Sequence, residues 1–117
     1  LYEKAFGLSV DFIHESNTYA QMSTGDVALG FAAESVMVGN GFEFHHNRQG
    51  VLPSGFELTF VTEDVQAAYE KAVAGGALPH ASPELKWWGR VVGYVKDNNG
   101  ILVEICSPSV RHKRKNN

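Results

Sequence analysis

The chain of 117 residues is poor in cysteine and carries no excess of positive charge. With Cys106 as its only cysteine it cannot form an intrachain disulfide, a usage typical of the reducing cytoplasm, where we expect this protein. The formal net charge of −3 argues against a nucleic-acid-binding surface on the body of the chain. No apolar run is long enough to span a bilayer, so no membrane partner is expected.

Several catalytic and binding motifs are also missing. The sequence has no phosphate-binding glycine loop, no Ser/His/Asp arrangement and no zinc-type pair of cysteines. Its basic residues cluster only at 111–115, where a terminal run is typical of a solvated tail. What remains is a composition with 44% hydrophobic residues, enough for the core of one domain.

The strongest positive feature is an internal repeat. The letters YEKA at 2–5 recur at 69–72, and each copy runs into a glycine-bearing stop followed by extended runs. The triplet Asn98-Asn99-Gly100 predicts a tight hairpin in the second copy. A strand, GFELTFVT, precedes the second helix, with Asp64 as its N-cap. The first helix has no such strand before it, so the symmetry predicts that a first strand is missing upstream of Leu1.

This repeat predicts an α+β fold. Two βαβββ modules are expected to form a curved mixed sheet, an incomplete barrel around a cavity, in a single domain over 1–117. Module one covers 1–38, the linker 39–54, module two 55–108 and the basic tail 109–117. Alternation then assigns large apolar residues to the helix side of each sheet: Val27, Leu29, Phe31, Leu58, Phe60, Ile101, Val103 and Ile105.

The opposite face of the predicted sheet carries the candidate ligand-binding residues. Glu57 and Thr59 alternate with apolar neighbours on one strand, and Glu104 does so on another. Two carboxylates on one inner face suit acid–base chemistry or a cationic ligand. The alternative for Glu57 is a surface glutamate on a half-exposed sheet. The alternative for Glu104 is an edge-exposed carboxylate or one paired with Arg90 across the hairpin.

Aromatic residues supply the other candidates. Trp87 and Trp88 are adjacent in an extended loop, so their side chains are expected to diverge, Trp87 into the core and Trp88 to the pocket rim. Phe42 and Phe44 alternate in the linker and are expected to cover the pocket as a lid.

At this point the sequence resembles a known family. YVKDNNGILVEICSP, with Trp88-Gly89 ahead of it, looks like the closing hairpin of the vicinal oxygen chelate superfamily. FELTFVTEDVQAAYEKAVAGGA and LYEKAFGLSVDF look like its two helical units. The superfamily includes glyoxalase I, fosfomycin-resistance transferases, ring-cleaving dioxygenases and the metal-free bleomycin-resistance proteins, and this chain is most similar to the last group.

The resemblance also implies where a metal would bind. Glu104 matches the eighth-strand ligand, and Glu57 falls at the fifth-strand position, although a one-residue slip would put Phe56 there. The fourth-strand position falls at Ala28 or Leu29, neither of which can bind a metal, and the first-strand position lies outside the sequence. We therefore expect no cofactor, while a divalent metal would have only the two glutamates as ligands.

Three functions follow from these observations. The leading hypothesis is a non-catalytic protein that sequesters a hydrophobic or cationic aromatic compound, similar to bleomycin-resistance proteins. The alternative is a metal-dependent lyase, transferase or dioxygenase, and the third is an interaction protein with a vestigial cavity. The resemblance implies a homodimer with the pocket shared between modules of two chains.

Overall fold

The computed structural model describes residues 1–108, so the basic tail 109–117 lies outside the described residues. The elements run in the order α1 (Tyr2–Phe6), β1 (Ser9–Ile13), β2 (Tyr19–Ser23), β3 (Ala28–Ala32), α2 (Glu34–Gly39), β4 (Glu57–Val61), α3 (Val65–Ala74), β5 (Leu78–Leu85), β6 (Val91–Lys96) and β7 (Leu102–Cys106).

The strands form two sheets. The first sheet has the order β1-β2-β3 and is antiparallel throughout. The second has the order β4-β7-β6-β5 and is mixed, because β4 runs parallel to β7 while the other pairs are antiparallel. Within residues 1–108 no ladder joins the two sheets. The predicted α+β class with an open, mixed arrangement of strands is therefore confirmed.

The helices cover one face of the second sheet. Alternation along β4 and β7 turns apolar residues toward α3, and these residues form the core: Leu58, Phe60, Val103 and Ile105, packed with Val65, Ala72 and Val95. The assignment of these four strand residues to the helix side is confirmed. Val27 is different, because it precedes β3 and is 71% exposed, so it contributes little to the core.

The two modules meet through α1. Gly75, at the C-terminal end of α3, lies so close to α1 that a Cβ there would come within 2.6 Å of the Ala5 nitrogen. The Tyr2 ring packs against Phe31 of the first sheet at a centroid distance of 4.8 Å. Phe6 stacks on Phe60 of the second sheet at 5.0 Å. One short helix thus contacts both sheets.

The local turn and cap signals are confirmed. Asp64 accepts a hydrogen bond from the Ala67 nitrogen at 3.1 Å, as an N-cap does. Gly7 ends α1 in the left-handed conformation with φ 71°. Gly100 has φ 81° in the β6–β7 turn, where Asp97 and Ile101 close the hairpin by a 3.0 Å backbone hydrogen bond.

Two elements differ from the sequence interpretation. Residues 78–85, where the sequence patterns identified no particular strand, form strand β5 in spite of Pro79 and Pro83. Since β5 is the edge strand and its register shifts on both sides of Ala81, the missing N–H groups are tolerated. Helix α2 has no counterpart among the predicted elements and occupies the end of the expected module one. Among residues 1–108, no helix is both long and apolar enough to cross a membrane.

Candidate functional site

Four polar residues lie together on the face of the second sheet that points away from α3. The ladder pairs Thr59 of β4 with Glu104 of β7, and Glu104 in turn with Tyr94 of β6. Glu57 lies two residues before Thr59 and therefore shares its face. We call Glu57, Thr59, Tyr94 and Glu104 the acidic cluster. The structure thus brings together three of the predicted site residues and adds Tyr94.

Hydrogen bonds connect the acidic cluster across three strands. The Thr59 hydroxyl donates to Glu104 Oε1 at 2.8 Å. The Tyr94 hydroxyl lies 3.4 Å from Glu57 Oε2 and 3.5 Å from Glu104 Oε2, so it is shared between the two carboxylates. Both of these contacts are long for O–H···O⁻ hydrogen bonds, so the tyrosine position is loosely held.

The charges of the cluster act on Tyr94. Partial burial, followed by the negative charges of Glu104 and Glu57, raises the pKa of Tyr94 to about 12. At neutral pH the phenol therefore remains protonated and can only donate its single proton to one carboxylate at a time. The cluster is an acceptor-rich surface with one neutral donor.

Within residues 1–108, no basic side chain forms an ion pair with Glu57 or Glu104. The ion pairs within residues 1–108 involve other acids, namely Glu34 and Glu84. Lys96 pairs with Leu102, which in turn pairs with Glu57, so Lys96 lies on the same face as the cluster. It nevertheless forms no ion pair with Glu57 among residues 1–108. Arg90, considered as a partner of Glu104, instead donates to the Ser107 carbonyl at 2.9 Å and contacts Cys106 Sγ at 3.1 Å. Among the residues that the structure describes, the two glutamates of the cluster therefore have no ion-pair partner.

Cys106 follows Glu104 on the same face but is buried. Its thiol is fully covered and lies against the Arg90 guanidinium. Burial raises the pKa of the Cys106 thiol, the charge of Glu104 raises it further, and Arg90 opposes both effects. A buried thiol with a raised pKa is a poor nucleophile, so Cys106 acts as a small buried side chain.

The aromatic residues predicted from the sequence are not members of the acidic cluster. Trp87 is 92% exposed, so its predicted place in the core is wrong, because the short turn between β5 and β6 has no apolar layer to receive it. Its ring meets Trp88 edge-on at 5.2 Å, and Trp88 is itself 46% exposed. Phe44 packs edge-on against His46 at 4.7 Å, beside α2, and Phe42 is 59% exposed.

The linker is held by charges and by the β6–β7 hairpin. Glu34 of α2 accepts hydrogen bonds from Arg48 at 2.7 and 2.8 Å and contacts His46 Nδ1 at 2.9 Å. The hydrogen bond from Arg48, which has the largest effect, and the contact with His46 lower the pKa of Glu34 to about 2. The Gln49 amide donates to the Asn98 carbonyl at 2.8 Å. These contacts place the linker beside α2 and the hairpin.

The residues present do not form a metal site by themselves. Nowhere in the described part of the chain do three His, Cys, Asp or Glu side chains converge as a ligand group. The acidic cluster offers two carboxylates and a neutral phenol, whereas protein sites for divalent ions provide more donors or a histidine. The fourth-strand position, at Ala28 or Leu29, contributes no donor. The donor set therefore does not fit a transition metal.

Two cavities within residues 1–108 are lined by other residues than the two glutamates. A cleft of about 470 Å³ lies among α1, α3 and the end of β4, and includes Phe6, Phe60 and Lys71. A second of about 280 Å³ lies between β3 and β4 and includes Leu29 and Thr59. Glu57 and Thr59 are exposed and Tyr94 and Glu104 are partly buried, and one of these cavities borders the acidic cluster at Thr59.

Comparison with protein families places nearly the whole chain in one of them. Residues 1–105 match the model of the Glyoxalase/Bleomycin resistance protein/Dioxygenase superfamily. A comparison with curated proteins found no match.

Solved structures show the same fold at low sequence identity. A glyoxalase-related enzyme from Fulvimarina pelagi is similar with a TM-score of 0.78 and 20% identity over 92% of this chain and 75% of that chain. A glyoxalase/bleomycin resistance protein/dioxygenase family enzyme from Burkholderia phytofirmans PsJN gives 0.69 and 19% over 91% and 84%. TioX from Micromonospora sp. ML1 gives 0.61 and 17% over 93% and 83%. Identities this low support the fold alone.

Proposed function

The chain belongs to the glyoxalase/bleomycin resistance protein/dioxygenase superfamily, and on that premise we propose that it is a non-catalytic protein that binds and sequesters a small hydrophobic or cationic aromatic compound. The resemblance to the bleomycin-resistance group motivates this choice within the superfamily. The observation that carries it is the Tyr94 hydroxyl shared between Glu57 and Glu104, neither of which forms an ion pair within residues 1–108.

A cationic ligand suits this arrangement on electrostatic grounds. Glu57 and Glu104 both approach one phenol, so their like charges repel each other across a short distance. A bound cation would relieve this repulsion and take the place that Tyr94 holds loosely. Thr59 fixes the second oxygen of Glu104 at 2.8 Å, which leaves the other oxygen to orient the ligand.

The complete pocket is proposed to require a second copy of the chain. The acidic cluster of one copy is open to solvent, while ligand sites usually bury most of their ligand. A homodimer would cover this face and bring aromatic side chains such as Trp88, Phe42 and Phe44 of one copy within reach of the cluster of the other. Light scattering at micromolar concentration tests this, and a monomer mass alone would contradict it.

The binding experiment compares matched dyes. Acridine orange, which is planar and cationic, and anilinonaphthalene sulfonate, which is anionic, are titrated into the parent protein and followed by tryptophan and dye fluorescence. We expect saturable binding of the cation that weakens with added salt. Glu57→Gln and Glu104→Gln should each cost about 1–3 kcal/mol of binding free energy, the scale for a hydrogen bond to a charged group.

The controls separate the site from the general surface charge. Glu63→Gln removes one exposed carboxylate ahead of α3 and should leave cation binding unchanged. If both cluster variants bind the cation as well as the parent, or if the anion binds best, the proposal is wrong. Elemental analysis showing one tightly held metal ion per chain would favour the metal-dependent enzyme instead.

A further inference from the structure

A short turn joins β5 to β6 and carries the two tryptophans of the chain. The Lys86 nitrogen donates a 2.8 Å hydrogen bond to the Arg90 carbonyl, which closes the turn. Trp87 is 92% exposed, and its ring meets that of Trp88 edge-on at 5.2 Å. We call residues 86–90 the tryptophan turn. Its closed backbone holds a large apolar side chain out in solvent.

The exposed surface at this turn is aliphatic as well as aromatic. Leu85, the last residue of β5, is 69% exposed and lies two positions before Trp87. An indole has an apolar ring and a polar N–H, so it suits the head-group region of a bilayer, where hydrocarbon and water meet. A leucine beside it favours hydrocarbon and offers no ring on which a nucleic-acid base could stack. The chemistry of this surface therefore matches a lipid partner.

The basic run 111–115 follows from the same end of the sheet. Ser107, just after β7, donates from its nitrogen to the Val91 carbonyl at 3.0 Å, and its own carbonyl accepts from Arg90 Nε at 2.9 Å. Because Arg90 belongs to the tryptophan turn, the chain passes Ser107 beside that turn. Arg111 is four residues further on, at most about 14 Å of extended chain. The basic run is therefore within reach of a surface that contacts the turn.

The charge of this end differs from that of the whole chain. The formal net charge is −3, yet segments 85–95 and 105–117 contain six of the ten Lys and Arg residues and no Asp or Glu. Glu84, the acid that precedes the turn, is paired with Lys86 at 3.2 Å. Exposed charges in physiological salt are screened beyond about 8–10 Å, so a partner at this end interacts with its basic residues more than with distant acids. This distribution is complementary to an anionic surface.

We propose that the tryptophan turn and the basic run 111–115 form one peripheral binding surface for a bilayer that contains anionic lipids. Trp87 and Leu85 enter the head-group region, and the basic run contacts the anionic head groups. Both halves are needed, because peripheral binding combines buried apolar area with attraction to anionic lipids. This mode replaces the expectation of no membrane partner, which rested on the lack of a spanning segment. It does not involve Glu57 or Glu104.

The experiment uses the whole chain and lipid vesicles of defined composition. Vesicles of phosphatidylcholine with about 30% phosphatidylserine are compared with vesicles of phosphatidylcholine alone in a flotation assay. Because both tryptophans lie in the turn, intrinsic fluorescence reports on it directly. We expect binding to the anionic vesicles only, with a blue-shifted emission that brominated lipids quench, and loss of binding as salt is added.

Two variants test the two halves of the surface. Trp87→Ala should weaken vesicle binding about tenfold or more, because it removes the side chain that the bilayer buries. The double variant Lys113→Gln/Arg114→Gln should weaken binding about thirtyfold, since each basic residue near an anionic bilayer contributes to the attraction. Trp87 is exposed, so the first variant should unfold at the same temperature as the parent.

Matched controls change the same chemistry elsewhere. Phe12→Ala removes an aromatic residue that is 46% exposed on β1, and Lys4→Gln/Lys71→Gln removes two exposed charges from α1 and α3. Both controls should bind the anionic vesicles like the parent.

Four results would overturn the proposal. Failure of the parent to bind anionic vesicles would exclude a membrane surface. Equal losses in the controls would show a general effect of charge or apolar area. Unchanged binding of Trp87→Ala would assign the contact to the basic run alone. Tighter binding of a single-stranded oligouridine than of the anionic vesicles, with quenched tryptophans, would assign this surface to nucleic acid.

Discussion

The Tyr2 hydroxyl donates a 2.7 Å hydrogen bond to the carboxylate of Asp97, which is fully buried and 95 residues away in the sequence. The second oxygen of Asp97 accepts hydrogen bonds from the Asn99 and Ile101 nitrogens at 2.8 and 2.9 Å. One carboxylate therefore organises the β6–β7 hairpin and ties α1 of module one to module two.

Removing this hydroxyl should destabilise the protein. Tyr2→Phe leaves one oxygen of a buried carboxylate without a donor, which we expect to cost about 1.5–3 kcal/mol of unfolding free energy. Urea unfolding at pH 8 measures it. Tyr69→Phe is the control, because Tyr69 packs against the core but its hydroxyl has no partner among the hydrogen bonds of residues 1–108, and should cost about 0.5 kcal/mol or less. Equal effects of the two variants would contradict the expectation.

The same contact should make the protein sensitive to alkali. Burial and the Asp97 carboxylate raise the pKa of Tyr2 far above its ordinary value. In the unfolded chain this phenol ionises near pH 10, so its contribution to stability is complete below about pH 10 and is lost as pH rises beyond it. The free energy of unfolding should therefore fall more between pH 8 and pH 11 in the parent than in Tyr2→Phe. Parallel losses would argue that another group dominates.

Replacement by alanine should destabilise the protein more at Gly100 than at Gly25, although both glycines lie in turns. Gly100 and Gly25 both have positive φ, 81° and 98°, so alanine at either position should cost about 1–2 kcal/mol from the left-handed backbone. A Cβ at Gly100 would also collide with the Arg48 carbonyl oxygen of the linker, whereas a Cβ at Gly25 meets nothing within 4 Å. Gly100→Ala should exceed Gly25→Ala by about 1–3 kcal/mol in chemical denaturation. Equal costs would mean that the linker moves aside freely.

Tyr94 should titrate as a probe of the acidic cluster. We expect an apparent pKa of about 12 in the parent protein. Glu104→Gln and Glu57→Gln should each lower this value, because each removes a negative charge that opposes ionisation of the phenol. NMR of tyrosines labelled at Cζ follows the titration, with Tyr94→Phe to assign the signal and Glu63→Gln as the control. An unchanged pKa in both cluster variants would mean that burial alone causes the shift.

The linker contact should loosen in acid. With its pKa lowered to about 2, Glu34 holds Arg48 and His46 fully above pH 4–5, and the contribution is lost as pH falls toward 2. Amide exchange and side-chain NMR of the linker should show this loss in the parent but not in Glu34→Gln. Arg48→Lys should weaken the contact already at neutral pH, because the single nitrogen of lysine cannot form the bidentate hydrogen bond that Arg48 donates to the two oxygens of Glu34. A parent linker that keeps its protection at pH 2 would contradict this account.

Most of the acidic cluster could be predicted from the alternation of side chains along the strands. A period of two on β4 and β7 was enough to place Glu57, Thr59 and Glu104 on the face away from the helices, because the pleat alone sets this alternation. Tyr94 obeys the same alternation on β6, with Gly93 and Val95 on the opposite face. The sequence did not identify Tyr94 as a member of the acidic cluster, because only the pairing register of β6 and β7 aligns it with Glu104. The placement of Trp88, Phe42 and Phe44 at a pocket stays a prediction.

The sequence by itself determined the repeat, the helix caps, the hairpin turn and the helix-facing residues of β4 and β7, all of which follow from neighbours a few positions apart. Only the tertiary structure decided that β5 is a strand with two prolines, that Trp87 is exposed and that α2 precedes the linker. These features depend on what packs against each segment: an edge strand needs fewer N–H groups, and a tryptophan is buried only where a second layer exists. The buried Asp97 shares this origin, since its partner Tyr2 comes from the other end of the chain.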